Sequence, residues 1–159
     1  MFGLSPDQKS FLFKLVQNLL PTKERLHRLG KIPSPSCRFC DCPDDDVEHL
    51  LACAQSAEVA TPLLACLSGQ ASTGSLTAKD VVQMKINTSE AWELPAVWLV
   101  ATSLAFIWED RLAGKNTSLV RFRAELLARV SLLGSTKWKN YTLHNSVVLL
   151  NEAINLHFL

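Results

Sequence analysis

Apolar residues recur at helical spacing through most of the chain, and the first such stretch is sharply bounded. Ser5-Pro6 is typical of a helix start, with Ser as N-cap and Pro in the first turn, and Pro21 ends the helix. Thr22 can cap a second, short helix that ends at Gly30. The apolar stripe predicted to be buried on the first helix consists of Phe11, Leu12, Leu15, Val16, Leu19 and Leu20.

The remaining apolar stretches predict further helices and no strand. A helix is expected over residues 47–60, with Pro62 breaking or restarting it, and a short one starts near Thr77. Pro95 is expected to begin a long apolar helix that runs to about Leu112. Ser118 caps a helix with one apolar side, and a last helix covers about residues 143–158. The pattern therefore predicts an all-α fold.

One polar stretch is the best candidate for a linker. Residues 68–75 read SGQASTGS, a run of small and polar residues that is typical of a loop. This predicts N-terminal helices with an irregular, cysteine-bearing turn over residues 1–67, and a C-terminal helical bundle packed on them over residues 76–159.

Composition is that of a folded protein with a real core. The chain has 159 residues, of which 48% are hydrophobic and 19% charged. The low charged fraction indicates a mostly buried helical body, or a fragment that rests against other protein. Residues 94–108 are the most apolar stretch and are shorter than the roughly 20 residues a membrane span needs. With no signal-peptide pattern, we expect an intracellular protein, cytoplasmic or nuclear, without membrane contact.

Charge is unevenly spread although the net charge is only +1. Residues 1–40 carry seven basic and two acidic residues, whereas residues 41–60 carry six acidic residues and no basic one. Two basic ends therefore surround an acidic middle, a distribution that favours a polyanionic partner at the ends only.

Four of the five cysteines lie within seventeen residues and share a spacing with one histidine. The pattern is C-x2-C-x8-H-x3-C, through Cys37, Cys40, His49 and Cys53. Two cysteines three apart can place both sulfurs on one side of a tight turn. His49 and Cys53 are four apart, so they share one face of a helix. Three thiolates and one imidazole form a closed tetrahedral set for Zn²⁺, which predicts a structural CCHC zinc knuckle.

Several alternatives stay open at this stage. Cys42 lies beside Cys40 and can compete for its place, while Cys66 reads as a buried free thiol. Scattered thiols in a reduced protein, or a redox pair, are the competing interpretations of the cluster. A catalytic zinc is disfavoured, because four protein ligands leave no open coordination position.

The stretch around the cluster resembles a known family. Residues 11–53 look like the zinc-binding domain at the C-terminal end of reverse transcriptases of non-LTR (LINE-type) retrotransposons. The matching positions are Phe13, Leu15, Leu20-Pro21-Thr22, Leu26, Cys37, Cys40, Glu48-His49-Leu50 and Cys53. The resemblance implies a zinc knuckle that helps a polymerase engage template RNA or target DNA.

The chain departs from a full element protein. It has no Asp-Asp motif of a reverse transcriptase and no endonuclease module, and we find no nucleophile–base pair. We therefore expect no enzymatic activity, and either an excised C-terminal domain or a host gene derived from one.

Basic residues around the knuckle are the candidates for nucleic-acid contact. Phosphate recognition is expected from Lys23, Arg25, Arg28, Lys31 and Arg38. Phe39 can stack on an unpaired base, or it can pack against the knuckle itself. Asp44, Asp45 and Asp46 form an acidic loop that we expect to be solvated and to face away from a bound strand.

The alternative function is a zinc-stabilised protein-interaction or scaffold domain, in which the chain can be dimeric. Its partner is a second copy, the rest of a reverse transcriptase, or another protein. It predicts an exposed apolar patch near Trp92–Trp98 or on the last helix, and no nucleic-acid binding above background.

Overall fold

The computed structural model of the chain describes residues 4–71, 76–135 and 141–159. This part of the chain folds into eight α-helices and contains no strand, only one isolated antiparallel bridge between Ala71 and Thr88. The predicted all-α fold is confirmed. The helices are α1 (Pro6–Val16), α2 (Lys23–Arg28), α3 (His49–Ala52), α4 (Ala57–Gln70), α5 (Ala78–Val82), α6 (Glu90–Leu112), α7 (Leu119–Ser135) and α8 (Tyr141–His157).

The first helix begins as predicted but buries a narrower stripe. The Ser5 hydroxyl accepts a hydrogen bond from the Gln8 backbone N–H, and the Gln8 side chain accepts one from Ser5. Phe11, Leu12, Leu15 and Leu20 are buried, whereas Val16 and Leu19 are exposed, so their predicted burial is wrong. The cause is the helix end: Asn18 adopts a left-handed conformation with φ of 53°, which takes Leu19 out of the helical register.

The helix expected over residues 47–60 is interrupted. It ends at Ala52 because Cys53 adopts an extended conformation with ψ of 139°. A single 3-10 turn, Ala54–Ser56, then leads into α4. The Ser56 hydroxyl donates to the carbonyls of Leu50 and Cys53, so the side chain satisfies carbonyl groups left free by the interruption.

Two prolines that were expected to mark helix boundaries lie inside helices. Pro62 does not break α4, which continues to Gln70 and takes up the start of the predicted linker. Residues 72–75, the rest of that linker, lie outside the described residues. α6 starts after Ser89, five residues before Pro95. Each proline is the sixth residue of its helix, where it costs one backbone hydrogen bond close to the helix start.

α6 is the central helix of the described structure. It contacts α1, α3, α4, α7 and α8. Its length and composition would suffice to cross a membrane, but 67% of its most apolar window is buried by the surrounding helices. This is the behaviour of a core helix in a folded body.

Aromatic side chains connect the N-terminal and C-terminal helices through α6. Phe11 of α1 meets Trp108 of α6, with ring centroids 6.4 Å apart. Phe122 of α7 contacts both Phe106 of α6 and Phe158 at the chain end, at 5.0 and 5.6 Å. One hydrophobic cluster thus draws on both predicted ranges, and the division into domains 1–67 and 76–159 stays a prediction.

Cys66 lies fully buried in this cluster, on α4. Burial raises the pKa of its thiol from 9.0 to about 11. At pH 8 a thiol with that pKa is ionised about 100-fold less than one at the ordinary value, and the thiolate is the species that reacts.

We therefore expect Cys66 to resist alkylation in the folded protein at pH 8 and to react at an ordinary rate after denaturation. Mass spectrometry after timed iodoacetamide treatment measures both rates, and Cys42, which is only partly buried, is the control in the same sample. Equal labelling of the two cysteines in the folded state would contradict the burial of Cys66.

Candidate metal centre

Three sulfurs and one ring nitrogen converge on a single point in the structure. The ligand atoms of Cys37, Cys40, His49 and Cys53 all lie within 4.8 Å of one another. The Sγ atom of Cys53 is 3.8 Å from that of Cys37 and 3.9 Å from that of Cys40. His49 turns its Nε2 atom to this point, 3.2 Å from the Cys40 sulfur.

The first two ligands are held by a tight chain reversal. The Cys37 backbone N–H donates to the Cys42 carbonyl at 3.0 Å, and the Asp45 N–H donates to the Pro35 carbonyl at 2.9 Å. Inside this reversal the Phe39 N–H points to the Cys37 sulfur at 3.3 Å. Backbone pairing alone therefore brings Cys37 and Cys40 to one side of the turn, as their spacing predicted.

The second pair of ligands comes from α3 and the residue after it. The His49 N–H donates to the Asp46 carboxylate at 2.8 Å, so Asp46 caps the start of the ligand-bearing helix. The Cys53 N–H donates to the His49 carbonyl at 2.9 Å and closes the last turn. His49 and Cys53 thus lie one helical turn apart and present their ligand atoms to the same side.

The donor set fits zinc. With Zn–S bonds of about 2.3 Å, sulfurs at two corners of a tetrahedron lie about 3.8 Å apart. The two sulfur–sulfur distances above match that value, and both are far longer than a disulfide bond of about 2.05 Å. Cys37, Cys40, His49 and Cys53 therefore form a CCHC-type Zn²⁺ site, and the chain's predicted cofactor is confirmed.

Two of the ligand thiols have pKa values shifted in opposite directions. Burial raises the pKa of the Cys37 thiol, but the Phe39 N–H, the His49 ring and other nearby donors outweigh it and lower the value to about 6. The Cys42 N–H lowers the pKa of Cys40, yet burial and the neighbouring sulfurs of Cys37 and Cys53 raise it to about 11. A bound Zn²⁺ supplies the positive charge that holds all three sulfurs as thiolates.

The remaining two cysteines lie outside the ligand set. The Cys42 sulfur points to the Asp44 carbonyl at 3.3 Å, away from the converging atoms. Cys66 is buried in the hydrophobic core. The structure thus assigns Cys40 rather than Cys42 to the site.

One contact to the site comes from a residue that is distant in sequence and that the ligand spacing did not predict. Arg111, in the last turn of α6, donates to the Cys37 sulfur at 3.2 Å and forms an ion pair with Asp45. Both charged side chains are buried. The expectation that the whole acidic loop is solvated is therefore wrong for Asp45, because Arg111 compensates its charge inside the protein. No local motif signals this contact, since 74 residues separate Arg111 from Cys37.

Four of the predicted basic residues lie on α2 and in the turn after it. Lys23 donates to the Ser36 carbonyl at 3.0 Å, and Arg25 donates to the Asn18 carbonyl at 2.7 Å. Arg28 pairs with Glu24 across one turn, with 3.6 Å between the charged atoms. Lys31 is exposed just beyond the end of α2. We call residues 23–31 the basic segment.

Arg38 and Phe39 are engaged within the protein. The Arg38 guanidinium donates to the Arg111 carbonyl and lies 4.7 Å from the centre of the Phe39 ring. The Arg111 guanidinium lies 5.3 Å from the same ring. These contacts favour the interpretation that Phe39 packs against the knuckle, residues 37–53, over the one in which it stacks on a base.

A family comparison agrees with this geometry. A protein-family model described as zinc-binding in reverse transcriptase matches residues 3–59, a little over a third of the chain. The predicted resemblance is confirmed over that range, which holds all four ligands. Searches of curated proteins and of solved structures found no match. Residues 3–59 thus form a zinc-binding module of the kind tied to reverse transcriptases.

We expect the purified chain to hold one zinc ion per molecule, and replacement of a ligand to release it. His49→Ala and Cys53→Ser should each lower retained zinc to a small fraction of one equivalent after dialysis, because three remaining ligands cannot close the tetrahedron. Elemental analysis by mass spectrometry measures the content.

Cys42→Ser and Cys66→Ser are the matched controls, because both remove a cysteine outside the ligand set. Both should keep one equivalent. Loss of zinc from Cys42→Ser with retention in Cys40→Ser would reverse the assignment.

Proposed function

We propose that the zinc knuckle and the basic segment together form a nucleic-acid-binding module. The module engages template RNA or target DNA for a reverse transcriptase and has no catalytic activity of its own. The supporting observation is that hydrogen bonds join the basic segment to the knuckle and to the residue just before it. The Glu24 N–H donates to the Asp45 carbonyl at 3.2 Å, and Lys23 bonds to Ser36 just before the first ligand.

The charges of the basic segment remain available to an anionic partner. Lys23 and Arg25 donate to carbonyl oxygens, which orient the side chains without neutralising them. Arg28 has only a long ion pair, in which its side chain stays 60% exposed, and such pairs stabilise little. A phosphate backbone can therefore replace these contacts at low cost, and the affinity of the complex should depend strongly on salt.

The acidic residues face a groove that borders the basic segment, to which Glu24 belongs. Glu24, Asp44, Asp46 and Glu48 line a groove of about 770 Å³, together with parts of α1 and α5. We call this the acidic groove. Because it repels phosphate, the bound strand should run over the exposed side of the basic segment and avoid the groove.

Binding can be tested with labelled single-stranded RNA and DNA of about 20 nucleotides, a length that several contacts can span. We expect Arg28→Ala combined with Lys31→Ala to weaken binding and to reduce the slope of log K against log salt by about 1.4–1.8, since each phosphate contact contributes about 0.7–0.9. Fluorescence anisotropy over a salt series measures both quantities.

The matched control removes two exposed lysines elsewhere. Lys9→Ala combined with Lys85→Ala makes the same change in net charge, but these lysines lie on α1 and beside the acidic groove. The control should keep the wild-type slope. Asp44→Lys, at an exposed position of the acidic loop, should tighten binding. An equal loss of affinity and of salt slope in both double variants would mean that net charge alone drives association.

A second candidate function is protein interaction. In the expected apolar patch near Trp92–Trp98 both tryptophans are buried, whereas Leu94 between them is 49% exposed. Leu156 on α8 is exposed, and several exposed apolar side chains lie on and just after α1. There Phe13 and Val16 are 63% and 58% exposed, and Leu19 follows them. An apolar surface of this kind favours a protein contact.

Under this alternative the chain self-associates through α1. Phe13→Lys combined with Val16→Lys should then convert a dimer to a monomer in sedimentation velocity measured over a range of concentrations. Val120→Lys, at an exposed position of α7, is the control and should leave the dimer intact. A monomeric wild type at all concentrations would exclude self-association as the role of this surface.

A further inference from the structure

The turn between α6 and α7, residues 113–118, forms three hydrogen bonds with Gln55, just after the knuckle. The Gln55 side chain donates to the Lys115 carbonyl at 2.6 Å, and the Gln55 carbonyl accepts from both the backbone and the hydroxyl of Thr117, each at 3.0 Å. Gln55 lies only two residues after the last zinc ligand. The end of the central helix is therefore fixed against the metal centre.

The position of Arg111 is set by how α6 ends. Gly114 adopts a left-handed conformation with φ of 70°, and its N–H donates to the Arg111 carbonyl at 3.1 Å. The Lys115 N–H donates to the Asp110 carbonyl at 2.9 Å, which completes a Schellman motif. Arg38 donates to the same Arg111 carbonyl. The backbone of Arg111 is thus held both by its own helix end and by the knuckle.

The side chain of Arg111 is directed at the ligand shell. Its Nη2 atom donates to the Cys37 sulfur at 3.2 Å and pairs with Asp45, and its Nη1 atom lies 3.5 Å from the Gln55 side-chain oxygen. The side chain is only 6% exposed. The guanidinium is buried and donates a hydrogen bond to a ligand sulfur. Because its partners are also buried, water would replace it poorly.

Charge explains why a cation is needed here. A Zn²⁺ ion with three thiolates and a neutral imidazole carries a net charge of −1, and the buried Asp45 carboxylate adds a further negative charge beside it. Arg111 supplies a positive charge in contact with both. A hydrogen bond to a thiolate also withdraws charge from the sulfur and fixes its orientation toward the metal.

We propose that Arg111 is an outer-shell residue of the zinc centre, so that zinc retention by the N-terminal knuckle depends on the end of α6. Arg111 positions Cys37 and offsets the negative charge of the centre. The metal site therefore extends beyond residues 3–59 to a helix that starts after them. The proposal rests on the zinc site and does not depend on nucleic-acid binding.

The test compares two variants that both lack the Asp45 charge. Arg111→Gln alone would leave a buried carboxylate without a partner, so its effect would mix folding with metal binding. Asp45→Asn and the double variant Asp45→Asn/Arg111→Gln avoid this problem and differ only at Arg111. We expect zinc binding to be about 10–100-fold weaker in the double variant, measured by competition with a chromophoric chelator on the full chain.

A spectroscopic measurement separates an outer-shell role from a structural one. With Co²⁺ in place of zinc, loss of the hydrogen bond to Cys37 should move the sulfur-to-cobalt charge-transfer band to longer wavelength. Arg129→Met is the matched control, because Arg129 pairs with Glu125, whose side chain is 41% exposed, and contacts none of the ligand sulfurs. This control should keep both the wild-type affinity and the wild-type band.

Zinc affinities within twofold of each other in Asp45→Asn and the double variant, with an unmoved cobalt band, would overturn the proposal. If the double variant does not fold, Asp45→Asn/Arg111→Met decides the question. Methionine keeps much of the length of the side chain but has no N–H to donate to the Cys37 sulfur. Faster zinc release with a shifted band supports the proposal, and wild-type release with an unmoved band overturns it.

Discussion

Attraction between three thiolates, one imidazole and a single divalent ion organises the least apolar part of this protein. Of residues 30–46 only Cys37 and Asp45 are buried, so hydrophobic burial contributes almost nothing to ordering this stretch. Structural zinc sites provide about 10–16 kcal/mol at neutral pH, which is comparable to the whole stability of a typical domain, about 5–15 kcal/mol. The position of the basic segment follows from this, because Lys23 and Glu24 bond to the chain immediately before and within the knuckle. The metal therefore controls the shape of the surface to which we assign nucleic-acid binding, although no ligand residue belongs to that surface.

The knuckle and the helical body are joined by two different kinds of contact. Apolar packing dominates on the α1 side, where Phe11 meets Trp108, and Leu50 and Leu51 of α3 are buried in the core. Polar contacts dominate at the end of α6. There Arg111 donates to the Cys37 sulfur, Arg38 donates to the Arg111 carbonyl, and Gln55 donates to the Lys115 carbonyl. Apolar contacts tolerate small shifts, whereas hydrogen bonds to a sulfur or a carboxylate fix direction as well as distance. The second set is therefore the one that can define the orientation of the ligands relative to the body.

Local patterns in the sequence predicted most of the helices and the metal ligands, because both depend on residues close together in the chain. The Ser5 cap, the Gly30 helix end and the C-x2-C and H-x3-C spacings are signals of this kind. The predictions failed where tertiary contacts override local preference. Cys53 leaves the helix where its side chain joins the ligand set, and Pro62 and Pro95 sit inside helices whose packing outweighs one lost hydrogen bond. Arg111 and Asp45 were missed because a buried ion pair between distant segments has no periodicity to detect.

The charge of the centre also bears on the proposed contact with a nucleic acid. An uncompensated anionic zinc centre next to the basic segment would weaken its attraction for phosphate, since fields in a partly buried site are poorly screened by solvent. In this protein Arg111 places a positive charge against both the Cys37 sulfur and Asp45, and the Arg38 guanidinium lies over the Phe39 ring at the edge of the knuckle. Arg38 thus supplies a further positive charge close to the ligands and on the exposed side. A module built in this way separates two roles of arginine, because the buried one serves the metal while the exposed ones stay available to a phosphate backbone.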